Sequence, residues 1–137
     1  MSIFKNNRQI LFSGGFNQTI LGGATNYLNP VRVDGLLGAS GRSILIPEPV
    51  TFANLSITIN SAQPGSGSLV VTLQIVAPLT NLLSITIPAG AAAFTLFSNP
   101  NTSGLVVAGS GLTIELINNA AVASAQIGPA SITMNMI

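Results

Sequence analysis

From Ile44 to Val76 apolar side chains recur at every second position, in two runs separated by a polar turn. Leu55, Ile57 and Ile59 alternate with Asn54, Ser56, Thr58 and Asn60; Leu69, Val71, Leu73 and Ile75 alternate with Val70, Thr72 and Gln74. A period of two places alternate side chains on opposite faces of an extended strand. The intervening Ser61-Ala62-Gln63-Pro64-Gly65-Ser66-Gly67 is rich in turn formers, so the stretch reads as two strands joined as a hairpin. This pattern excludes a helical fold for the centre of the chain.

The rest of the chain repeats the theme. Leu83, Ile85 and Ile87 share one side of a strand, as do Leu112, Ile114 and Leu116, and finally Ile132, Met134 and Met136. Ala92–Phe97, Leu105–Ala108 and Ala121–Ile127 are further expected strands. Gly22-Gly23, Ala77-Pro78, Pro88-Ala89-Gly90, Ser98-Asn99-Pro100-Asn101, Gly109-Ser110-Gly111, Asn118-Asn119 and Gly128-Pro129 mark the turns. Ile46-Pro47-Glu48-Pro49 suits an edge or corner, since each Pro removes a ladder donor. About eight to ten strands with turns every 8–12 residues predict an all-β sandwich or barrel. Residues 31–43 read as a Gly-rich loop holding Arg32, Asp34 and Arg42.

Charge is the second constraint. Only four basic and three acidic residues occur in 137, or 5% charged, where about a quarter is usual. None lies between Pro49 and Ile114. Exposed edge strands are normally guarded by charge. The outward positions here are Ser, Thr, Asn and Ala, with Val70, Val76, Leu82 and Phe97 among them. Such a surface is expected to be covered by copies of the same chain. No window supplies the roughly 20 apolar residues of a spanning helix. A transmembrane barrel calls for aromatic girdles, which six Phe, one Tyr and no Trp do not provide.

Chemistry is nearly excluded. With no His and no Cys, the commonest general base, the best nucleophile and thiolate metal sites are missing. Asp34 and Glu48 both have Arg neighbours and read as structural ion-pair partners before catalytic carboxylates. The run from Gly35 to Ser43 lacks the spacing and the Lys of a phosphate loop. Four cations make no nucleic-acid footprint. No enzymatic activity and no cofactor or metal are therefore expected. The Asn17, Asn54 and Asn101 glycosylation triplets arise by chance in so Asn- and Thr-rich a chain.

Residues 1–15 form a distinct unit, an N-terminal connector arm before a domain spanning 16–137. The arm carries Ile3, Phe4, Lys5, Arg8, Ile10, Leu11 and Phe12, and ends in Gly14 and Gly15, which read as a hinge. A frayed tail is the alternative; docking on a neighbouring subunit as an added strand is preferred. MSIFKNNRQILFSGG lacks the apolar core and cleavage site of a secretory signal, so export by the general route is not expected.

Three runs, IPEPVTFANLSITINSAQPGSGSLVVTLQI, LLSITIPAGAAAFTLF and LVVAGSGLTIELINN, resemble the C-terminal head domains of exosporium proteins of spore-forming bacteria. The similarity covers residues 44–137 and is carried by patterns of small and apolar residues that phage and viral jelly rolls share. It implies a tumour-necrosis-factor-like jelly roll that forms trimers. The collagen-like stalk of many exosporium proteins is missing, and the arm stands in its place. That departure resembles a subunit of an F-type endospore appendage, polymerising head to tail on the spore surface and anchored to a coat or exosporium protein. The alternative is a receptor-binding head or adhesin of a phage fibre or spore surface.

Overall fold

The computed structural model describes residues 9–16, 20–28, 43–63, 65–121 and 130–136. Among them are nine strands and no helix: β1 (Gln9–Phe16), β2 (Thr25–Leu28), β3 (Ile44–Leu45), β4 (Val50–Ile59), β5 (Leu69–Val76), β6 (Leu79–Ile87), β7 (Leu96–Val106), β8 (Gly111–Asn118) and β9 (Ala130–Met136). They form two antiparallel sheets. One has the order β1-β9-β4-β7; the other has the order β2-β8-β5-β6, with β3 also paired to β8. The alternating aliphatics of both sheets meet in one core, where Leu55, Ile57, Leu69, Leu73, Ile114 and Leu116 have no exposed surface. Each such side chain contributes roughly 1.5–3 kcal/mol on burial.

The two strands of the Ile44–Val76 stretch are not a hairpin. β4 lies in one sheet and β5 in the other, and they do not pair. Residues 60–68 carry the chain across the roughly 10 Å between packed sheets. Alternation alone says that a strand has a core face, and it holds equally for a partner alongside and a partner across the core. The within-sheet hairpin is β5–β6, closed by the cis Ala77–Pro78 turn with Val76 opposite Leu79.

β4 shows how the apolar pattern sets a bulge. Its core residues are Val50 and Phe52, then Leu55, Ile57 and Ile59, so the phase changes between Phe52 and Leu55. The extra residue is absorbed at Ala53–Asn54, where the register with β9 shifts and Asn54 takes φ 55°. The Phe52 N–H donates to Ser103 Oγ at 2.9 Å, a side chain standing in for a ladder acceptor. A bulge of this kind re-aims a strand without breaking it.

The Ser98–Asn101 turn expected from sequence is overridden. β7 runs through Pro100 without interruption, although its register with β4 shifts twice. β7 is an edge strand, so Pro100 removes no bond that the sheet requires. The expected corner at Ile46–Pro49 is found: Pro47, Glu48 and Pro49 are exposed where the chain leaves β3 for β4 in the opposite sheet. The Gly22-Gly23 turn also forms, with Ala24 N–H donating to Leu21 O at 3.0 Å. Of the expected charged loop at 31–43 only Ser43, and of the expected strand Ala121–Ile127 only Ala121, lies within the described residues.

Candidate assembly surface

The strands run lengthwise, so the molecule has two ends with different loops. One end holds the β3–β4 corner, the Ala77–Pro78 turn and the β7–β8 loop; there Ile46 N–H donates to Ser110 O and Gly109 N–H to Ile46 O. The opposite end holds the β4–β5 and β6–β7 connections and the turn at 21–24. There Phe94 N–H donates to Ile59 O at 2.7 Å, and Gly23 N–H to Asn118 O.

At the first end a row of apolar residues crosses the outer face of the β2-β8-β5-β6 sheet. Ile75 and Leu112 face the core, so their neighbours Val76 and Gly111 face out. Leu45 pairs with Gly111 and Leu79 with Val76, which extends the row across four strands. Leu45 is 73% exposed, Leu79 70% and Val76 40%. A Cβ on Gly111 would lie 2.8 Å from Ser43 Oγ and 3.8 Å from Val76 Cβ, so the absence of a side chain lets the row close up. Leu105 and Val107 add exposed apolar surface at this end, and Glu48 supplies a carboxylate.

The opposite end carries Phe94, Leu96 and Leu21. Phe94 is 76% exposed and has φ 61°, a backbone conformation that a bulky residue rarely takes. Its hydrogen bond to Ile59 O and the Thr95 Oγ1 bond to Ala92 O at 2.9 Å hold this loop. The ring is thereby displayed on a braced turn. Nearby, Gln63 is buried with neither side-chain amide atom hydrogen-bonded, although its backbone N–H donates to Ala91 O at 2.8 Å.

Between the ends, the outer face of the same sheet is polar and internally bonded. Thr72 and Ser84 hydroxyls lie 3.1 Å apart, Gln74 Nε2 donates to Asn81 Oδ1 at 3.0 Å, and the Tyr27 hydroxyl donates to Glu115 Oε2 at 3.4 Å. Burial and the Glu115 carboxylate raise the Tyr27 phenol above its ordinary value. Where the two sheets' free edges meet, Asn99 Nδ2 donates to Ser84 O at 2.9 Å and ties β7 to β6.

The sequence-designated residues fall in two groups. Ile10, Leu11, Phe12, Gly14 and Gly15 lie in β1, paired in one sheet with β9; Gly14 is opposite Ile132 and Gly15 opposite Ser131. The expected domain boundary at 15/16 thus falls inside a strand, and the double glycine sits in the ladder. Ile3, Phe4, Lys5 and Arg8 lie outside the described residues. Of the four outward apolar positions, Val76 is exposed and Val70 half-buried, whereas Leu82 and Phe97 pack against the core. Phe97 pairs with Ile57, which points inward, and a register shift at Leu73/Gln74 moves Leu82 off the outer row. Leu45, Leu79 and Phe94 were not singled out in the sequence. Their only signal is a large apolar residue directly beside a turn.

Among the described residues no three His, Asp or Glu side chains gather as metal ligands, and no helix is long and apolar enough to cross a membrane. No protein-family model matches the chain, and no curated protein matches it either.

Proposed function

We propose that this chain is a structural subunit that associates with copies of itself, through trimers, into a fibre or appendage on the bacterial spore surface. The observation that carries the self-association is an apolar surface with almost no charge. Leu45, Leu79, Phe94, Leu96, Leu105 and Val107 are each well over half exposed, while Glu48 and Glu115 are the only charged groups among the described residues. Isolated molecules with such a surface have little to keep them apart.

The strand pairing supports a jelly roll. β1 pairs with β9, β2 with β8, β4 with β7 and β5 with β6, the nested order of one antiparallel ribbon folded over into two sheets. That agrees with the similarity of residues 44–137 to exosporium head domains, from which the trimer, the spore location and an anchoring protein are carried over. Residues 1–8 are the connector in this reading, with Ile3 and Phe4 as contacts and Lys5 and Arg8 beside them. β1 belongs to the domain.

Deletion of residues 1–8, which leaves β1 intact, tests the connector. The truncated protein is expected to keep its far-UV circular dichroism and its smallest oligomer and to lose filaments under negative-stain electron microscopy. Filaments of unchanged length would remove the connector from the proposal. Full-length protein that stays one discrete size at any attainable concentration would remove self-assembly altogether.

A further inference from the structure

We propose that the two apolar ends are the two halves of one axial contact: the end bearing Leu45, Val76 and Leu79 receives the end bearing Phe94, Leu96 and Leu21 of the next copy. This rests on the self-assembly reading and names the surface that would carry it.

The occupant follows from charge and symmetry. Glu48 stands exposed in the β3–β4 corner of the first end, three residues after Leu45. A contact of like ends would set two such carboxylates against each other in a desolvated apolar setting, which is unfavourable. Among the described residues the Phe94 end carries no charge, so the unlike pairing brings no carboxylates together. The ends are also unlike in form. One is a row across four strands, closed up at Gly111; the other is an aromatic ring on a braced turn. A contact between unlike ends leaves a free end of each kind on every product, and so propagates without closing. β1 begins at the Leu45 end, since Gln9 pairs with Met136 and Met136 with Phe52 near the start of β4. The chain therefore enters the domain at the receiving end, on the side that faces the neighbour's Phe94 end, so the proposed connector would meet that same neighbour.

Two single variants of the full chain test this, each adding a carboxylate at one end. Leu79→Asp alters an exposed turn-flanking position. Phe94→Asp alters a position of positive φ, which Asp tolerates better than Phe. Each protein alone is expected to stop at its smallest oligomer, with the critical concentration for filaments raised at least about tenfold, the equivalent of 1.4 kcal/mol. Mixed one to one, the variants still own one intact end each. Sedimentation velocity should then show a new species of twice the mass of either alone and no filaments. Filaments that persist in both variants overturn the axial contact while self-assembly stands. A Phe94→Asp protein that doubles in mass by itself shows a like-end contact and overturns the inference in that form. Wild-type protein without filaments overturns both readings. Leu45→Asp and Leu21→Asp, at the same two ends, replace either variant whose circular dichroism shows a lost fold, and the same outcomes apply.

Discussion

Gly67 shows how a single residue fixes the crossing between sheets. Its φ is 75°, and a Cβ built there would lie 2.4 Å from the Ala120 backbone N and Cα. Both the backbone angle and the contact demand glycine. Because the obstacle is main chain, no side-chain rotation relieves it. Gly67→Ala is expected to cost roughly 3 kcal/mol and to lower Tm by about 10 °C in a thermal melt; a change under about 2 °C would refute the tight approach. Tyr27 offers a second test at this scale. It is the sole tyrosine and there is no tryptophan, so the 295 nm absorbance titration reports it alone. Its phenol is raised by burial first, then by the charge of Glu115 and the hydrogen bond to it. The sign follows from linkage: a folded-state value above the unfolded one stabilises below the unfolded value of about 10 and is lost as pH rises through the folded one. The midpoint is expected above 10 and lower in Glu115→Gln; equal midpoints in the two proteins would show that Glu115 has no part in it.

At the scale of strands, stability is expected to be uneven. β5 and β8 are hydrogen-bonded on both sides and contribute Leu69, Leu73, Ile114 and Leu116 to the core. β7 is paired on one side, contains Pro100, shifts register twice against β4 and is largely exposed. Amide exchange in unpolymerised Leu79→Asp protein should therefore be at least about a hundredfold faster across β7 than in β5 and β8. Equal protection would mean that β7 opens only with the whole domain. These same strands mark what a sequence can disclose. The core faces of β5 and β8 were legible because a period of two leaves no freedom about which side chains go inward. The relation of β4 to β5 was not, because a strand alternates in the same way whether its neighbour lies beside it or across the core. Pro100 and Asn101 carry a true turn preference, but an edge strand tolerates it. Leu82 and Phe97 turn inward for reasons that depend on the partner strand: Leu82 falls at the β5–β6 register shift, and Phe97 pairs with inward-facing Ile57. The candidate surface was least legible: Leu45, Leu79 and Phe94 stand out only once the strands are aligned and their turns gather at the two ends.

For the whole molecule, the question is which force drives association. Seven charged residues in the chain leave little for ions to screen, and the described surface holds only Glu48 and Glu115. If the exposed aliphatics and Phe94 supply the contact, screening has little to act on, while salts excluded from apolar surface strengthen burial. If instead Lys5 and Arg8 bind an acidic or carbonyl-lined groove on the neighbour, the joint is partly electrostatic and weakens as ions are added. The two cases separate in one light-scattering series. Raising sodium chloride from about 0.05 to 0.5 M, which shortens the screening length from near 14 to near 4 Å, is expected to change the critical concentration less than about threefold. Ammonium sulfate at equal ionic strength is expected to lower it. A tenfold rise of the critical concentration over that sodium chloride range, abolished in a Lys5→Gln/Arg8→Gln protein, would assign the joint to the basic connector and leave the apolar ends a lesser part.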